Sequence, residues 1–135
     1  AYLSQVPAKE GALAFLDQCR SQGQPMALLT ACVPEFCRAA LRRLHMEGYF
    51  SHLIFVQELG MLKKDPATYS HVLKELGATP EESTLYEDSP GACAAAKEAG
   101  LTVVGVYDPF YAWYETELKG LCHRYIHSFT ELLQP

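Results

Sequence analysis

With 135 residues, 49% of them hydrophobic, the chain can bury one sizeable core and reads as a single domain, 1–135. Its net charge of −5 comes from 16 acidic against 11 Lys and Arg residues, the latter scattered apart from pairs such as Arg42-Arg43 and Lys63-Lys64. That pattern argues against a nucleic-acid surface, and any anion site must be built locally. The five cysteines (Cys19, Cys32, Cys37, Cys93, Cys122) form no C-x-x-C pair, no apolar run could span a bilayer, and Ala1 to Pro7 lack the features of a signal peptide. Free thiols, no membrane and a reducing cytoplasm are the expectation.

In chain order, Ala12, Leu13, Leu16 and Cys19 recur at three- and four-residue steps within Ala8 to Gln22, which predicts a helix stopped by Gly23. Met26 to Leu29, ending at Thr30, predicts a buried parallel-type strand. The alternation repeats: Glu35 to Met46 helical, Leu53 to Val56 a strand, Ala67 to Leu76 helical, Thr84 to Tyr86 a strand. Gly91 to Ala99 is again helical, Thr102 to Val106 a strand, and Tyr125 to His127 a weak last strand. Asp108 to Lys119 is helical by its ending, and the aromatic cluster Tyr107 to Tyr114, with Trp113, is read as a helix packed on the sheet. Strands alternating with ten-residue helices predict a parallel α/β sheet, whose functional groups gather at the carboxyl ends of strands.

Three strand tips carry suitable chemistry. Thr30-Ala31-Cys32 offers a hydroxyl and free backbone N–H groups ahead of Pro34, either a phosphate-oxygen site or a turn. Lys63-Lys64-Asp65-Pro66 sets a lysine before a helix start, either a solvated loop pair or a lysine that neutralises a phosphate and a nearby carboxylate. Glu87-Asp88-Ser89-Pro90-Gly91 puts two adjacent carboxylates at the end of a buried strand, where Mg²⁺ is the usual partner, while Asp88 or Ser89 can also cap the following helix. The five histidines show no metal-ligand spacing and are assigned no role.

Hydroxyl, lysine and acidic pair on successive strand tips resemble the haloacid dehalogenase superfamily, in its phosphatase, phosphoglycolate-phosphatase-like or β-phosphoglucomutase-like branch. The resemblance runs from Val6-Pro7-Ala8-Lys9-Glu10-Gly11 to Phe129-Thr130-Glu131-Leu132-Leu133. Thr30 matches the family's second motif, Lys63 its third by spacing to Pro66 and Tyr69, and Glu87-Asp88 its fourth; Lys64 stands where the family pattern has a proline.

The resemblance implies a three-layer, Rossmann-like parallel sheet and a phosphomonoester hydrolase that captures the phosphoryl group on an aspartate before water releases it. By that analogy Thr30 and Ala31 hold the phosphate, Thr30 and Lys63 serve catalysis, Glu87 and Asp88 hold Mg²⁺, and the substrate is a small phosphorylated metabolite. Mutase or dehalogenase chemistry is less favoured.

The four aspartates, Asp17, Asp65, Asp88 and Asp108, include none in an Asp-x-Asp-x-Thr setting. The first central strand and the cap domain are therefore expected to be absent from this chain, with Ala1-Tyr2 just leaving a cap. Two apolar strand edges, at Thr30 and Glu87, would then face an empty slot, to be completed by a missing N-terminal segment of the same chain or by a partner chain. No turnover is expected from the 135 residues alone. A binding or regulatory module that lost its nucleophile is the alternative; a phospho-acceptor receiver domain is disfavoured, because its acidic residues come first along the chain.

Overall fold

The computed structural model describes the backbone of Tyr2–Ser4 and residues 9–135 in full. Val6, Pro7 and Ala8, where the family resemblance and the expected first helix begin, lie outside the described residues.

Among the described residues six strands, β1 (Tyr2–Ser4), β2 (Met26–Thr30), β3 (His52–Phe55), β4 (Thr84–Glu87), β5 (Thr102–Val106) and β6 (Arg124–Ile126), form one sheet in the order β3-β2-β1-β4-β5-β6. Every pairing is parallel. The chain winds outward from β1 to β3, then reverses to run from β4 to β6. The switch point thus falls between β1 and β4, where crevices open at the carboxyl ends of such sheets.

The central slot is filled, contrary to the sequence-based expectation. Tyr2–Ser4 pairs with both neighbours, Ser4 lying opposite Leu28 on one side and Tyr86 on the other. A Tyr-Leu-Ser tripeptide has too few residues to show strand alternation, so nothing in its pattern announced it.

Helices α1 (Ala12–Ser21) and α2 (Pro34–Arg43) flank one face of the sheet, and α4 (Pro66–Leu76), α5 (Pro90–Glu98) and α6 (Glu115–Leu121) the other; α3 (Val56–Leu59) is a single turn after β3. The period-two alternation of the strands divides the core accordingly. Met26, Leu28, Tyr86, Val104 and Val106 pack with Phe15, Leu16 and Leu41, whereas Ala27, Leu29, Leu85 and Val103 pack with Tyr69, Val72, Cys93 and Leu118. This is the three-layer arrangement expected.

Two local expectations are corrected. Val56 opens α3 rather than ending β3, its backbone turning once its side chain is buried among α4 and α5 residues. The aromatic segment does not pack on the sheet: Pro109–Tyr114 is a 3₁₀ stretch with no buried residue, and Phe110 and Trp113 are 77% and 95% exposed. Tyr107, Phe110, Tyr111 and Tyr114 do stand at the steps of an α-helical face, but the segment winds as a 3₁₀ stretch broken at Tyr111 (φ −108°, ψ 20°), so that face is not formed. Four cysteines are buried, Cys32 is exposed, and all five are free. No helix among the described residues is long and apolar enough to cross a membrane.

Candidate active site

At the carboxyl ends of the strands a cleft of about 440 Å³ opens beside the switch point, with Ala31, Lys63, Glu87, Asp88, Ser89 and Asp108 in its wall. Phe110 and Tyr111 form its rim. A second cavity, of about 420 Å³, lies at the opposite end of the strands, around Met26, Ala27 and His52; its lining holds one carboxylate, Glu82, and no lysine or arginine.

Glu87 is the last residue of β4, on the same pleat face as Leu85, and is fully buried. Burial of a carboxylate is unfavourable without partners, and both oxygens have them. Oε1 accepts the backbone N–H groups of Asp88, at 3.0 Å, and Ser89, at 3.3 Å. Oε2 faces the Lys63 ammonium at 2.7 Å as an ion pair, though no aligned hydrogen bond reaches it. Desolvation outweighs the lysine, and the Glu87 carboxyl is pushed up to about 7.

The loop before α4 aims Lys63 at that carboxylate. Asp65 caps α4 by accepting from the Ala67 N–H, the Thr68 hydroxyl donates to the Leu62 carbonyl at 2.6 Å, and the buried Tyr69 hydroxyl donates to the Lys63 carbonyl at 2.7 Å. Lys64 is exposed, so of the two lysines Lys63 is the one that reaches the cleft. Ser89 is the N-cap of α5, accepting from the Ala92 N–H, and Asp88 is left to face the cleft.

Two residues that the sequence did not single out join this group, Asp108 in the wall and Lys9 against two of its carboxylates. Lys9, just before α1, places its ammonium 3.6 Å from Asp88 Oδ2 and in direct contact with Asp108 Oδ1. Asp108 follows β5, its Oδ2 accepting the Phe110 N–H, and the Lys9 hydrogen bond holds it below the usual carboxylate range. Neither belongs to a recognisable motif in its local sequence, and 99 residues separate them.

Thr30 stands apart from this group. It is 3% exposed, its hydroxyl accepts the Cys32 N–H at 3.0 Å, and it lines a smaller cavity against α2 with Phe36 and Cys37. The structure therefore brings Ala31, Lys63, Glu87 and Asp88 to one cleft and leaves the Thr30 side chain facing another.

For Mg²⁺, the donor set is asymmetric. The protein itself uses both oxygens of Glu87, whereas Asp88 sits beside Glu87 and faces the Lys9 ammonium at the longer of the two Lys9 contacts. Among the described residues no three His, Cys, Asp or Glu side chains converge to cage a metal. Mg²⁺ is commonly held by one or two carboxylates with water and substrate phosphate making up the rest, and Asp88 fits that kind of site.

A parallel sheet with a switch-point crevice, a lysine over a buried glutamate and a neighbouring aspartate define a Rossmann-like α/β core with a charged cleft at its strand tips. The family model described as haloacid dehalogenase-like hydrolase matches residues 1–100, and the chain belongs to that family, in its phosphatase-like branch. It is 34% identical over 99 residues to the phosphorylated carbohydrates phosphatase of Thermotoga maritima, covering 73% of this chain and 44% of that one. It is 34% identical over 101 residues to the phosphoserine phosphatase of Thermus thermophilus, covering 74% and 41%. A solved HAD family hydrolase from Deinococcus radiodurans with bound phosphate and sodium superposes with a TM-score of 0.76 at 27% identity, over 91% of this chain and 56% of that one. The chain thus spans about half the length of these relatives.

Proposed function

We propose that these residues form the core portion of a Mg²⁺-dependent phosphomonoester hydrolase that acts, in the complete protein, on a small phosphorylated metabolite through an aspartyl-phosphate. The observation that carries the reading is the Lys63–Glu87 ion pair beside Asp88 in the switch-point cleft. Lys63, fixed from behind by Glu87 and Tyr69, offsets charge on the phosphate and on the attacking carboxylate. Asp88 holds the metal from the cleft side, with Glu87 behind it orienting the lysine. The N–H of Ala31 takes a phosphate oxygen, with Thr30 fixing the turn through its bond to Cys32. Bound Mg²⁺ would supply further neutralisation of the phosphoryl oxygens. The nucleophilic aspartate belongs to a segment of the complete protein outside these 135 residues, since the strand in the central slot, Tyr2–Ser4, carries none. The setting is cytoplasmic.

The test is hydrolysis of p-nitrophenyl phosphate with Mg²⁺ by the complete protein. Lys63→Met and Asp88→Asn should each lower kcat/KM by about a hundredfold or more. Undiminished turnover in both variants overturns the assignment. The 135 residues alone should show no turnover that responds to these substitutions, and such turnover would overturn the placement of the nucleophile elsewhere.

One observation favours a second reading, a binding or regulatory module. The central slot is already closed by a strand without an aspartate. In that case the complete protein binds Mg²⁺ or phosphate and hydrolyses nothing.

A further inference from the structure

The Lys9 ammonium meets two carboxylates at once, Asp108 in direct contact and Asp88 at 3.6 Å, and it does so in shelter: the Lys9, Asp88 and Asp108 side chains are 20%, 18% and 27% exposed. The two aspartates come from the tips of adjacent strands, β4 and β5, whose like charges would repel without a cation between them. Lys63 cannot serve, because its ammonium is committed to the buried Glu87. The cluster therefore sets three carboxylates, Glu87, Asp88 and Asp108, against two ammonium groups, Lys9 and Lys63.

The backbone that delivers Lys9 is fastened. Its carbonyl accepts the Ala12 N–H, and the next carbonyl, of Glu10, accepts the Phe129 N–H at 3.0 Å and the Ser128 hydroxyl. Gly11 then turns with φ +78° so close to the carboxy-terminal turn that a Cβ would lie 2.7 Å from the Thr130 nitrogen. Only the flexible Lys9 side chain is free to leave. A divalent cation bound directly to Asp88, at roughly 2.0–2.1 Å for Mg²⁺, would face the ammonium across the same carboxylate.

We propose that Lys9 is a built-in counter-ion holding the place of a divalent cation between Asp88 and Asp108, so that metal binding at Asp88 and the Lys9 ion pairs exclude one another. This rests on the reading that Asp88 holds the metal. Without metal, Lys9 keeps the two strand tips together; with metal, its ammonium is released toward solvent at the cleft rim.

The experiment uses Mn²⁺ as the probe, with free ion counted by electron paramagnetic resonance, and the chain as wild type, Lys9→Met, Lys9→Arg and Asp88→Asn. Lys9→Met should bind Mn²⁺ about tenfold more tightly than wild type, equivalent to about 1.4 kcal/mol, and Lys9→Arg about as wild type. Asp88→Asn should bind none. A Lys9→Met affinity equal to wild type, with Asp88→Asn still inactive in binding, overturns the role of Lys9 and leaves Asp88 as the ligand. Binding undiminished in Asp88→Asn, or absent from every variant, overturns the metal assignment and the Lys9 proposal with it. A second readout needs no variant: acetylation of Lys9 in the wild-type chain, followed by mass spectrometry, should accelerate several-fold when Mg²⁺ is added. An unchanged rate overturns the proposal.

Discussion

Lys63 and Glu87 meet at 2.7 Å across the gap between the loop leading into α4 and the tip of β4, and the glutamate has no exposed surface. The pair is therefore unequal: the lysine can reach solvent along the cleft, while the glutamate cannot. Its ionisation depends on what the protein supplies, and burial outweighs the lysine, placing its pKa at about 7 against 4.5 for the free group. Between about pH 4.5 and 7 the folded chain thus holds a proton on Glu87 that the unfolded chain has released, and above that range the two groups form an ion pair.

That difference sets a pH dependence of stability. The contribution of Glu87 is whole below about pH 4.5 and is lost as pH rises through about 7, by roughly 3 kcal/mol. Urea unfolding in the presence of a chelator should show a drop between pH 5 and pH 7.5 in the wild type that Glu87→Gln flattens. Equal pH slopes in the two would contradict it.

Lys63→Met removes the opposing charge and should lower stability by about 2 kcal/mol at pH 7.5, where Glu87 is ionised. Adding Glu87→Gln to that variant should restore most of the loss, since no buried charge is then left unpaired. The coupling read from the double-mutant cycle checks this, and strict additivity would speak against it.

Tyr69→Phe deletes the hydroxyl that holds the Lys63 carbonyl at 2.7 Å in a fully buried position. The expected cost is about 1 kcal/mol, from the lost hydrogen bond. In the complete protein kcat should fall while KM changes little, because the loop still carries Lys63 but no longer fixes it; an unaltered kcat would show that the hydroxyl only stabilises.

Gly105 on β5 faces Cys122 and Tyr125 so closely that an added Cβ would lie 2.8 Å from the Cys122 sulfur and 2.9 Å from a Tyr125 ring carbon. Gly105→Val should overpack this site and cost about 1–3 kcal/mol in thermal or urea unfolding. A melting temperature equal to wild type would mean that α6 and β6 yield without strain.

What could be read beforehand followed from how locally each feature is encoded. The strands from Met26 to Val106 and their intervening helices declare themselves by apolar runs punctuated with Pro and Gly, and the acidic pair by its place after a buried run. Lys9 and Asp108 could not be found this way, because their meaning arises only when the sheet brings α1's approach and the tip of β5 together. Thr30 shows the opposite case: strand and turn were legible, but which cavity its hydroxyl faces depends on the packing of α2. The aromatic segment misled because Tyr, Phe and Trp suggest burial, whereas Phe110 and Trp113 project from a 3₁₀ stretch at the cleft mouth.

The central strand has one more implication. Two half-sheets, β3-β2 and β4-β5-β6, are stitched together by the three residues of β1, with three register pairs on each side. Withdrawal of Tyr2–Ser4 would leave the bare amide edges of β2 and β4 facing each other across a slot about two strand spacings wide, roughly 10 Å. Such a slot admits any extended segment in parallel register, from the same protein or from a second copy. The seam that closes the sheet is thus also its natural point of strand exchange.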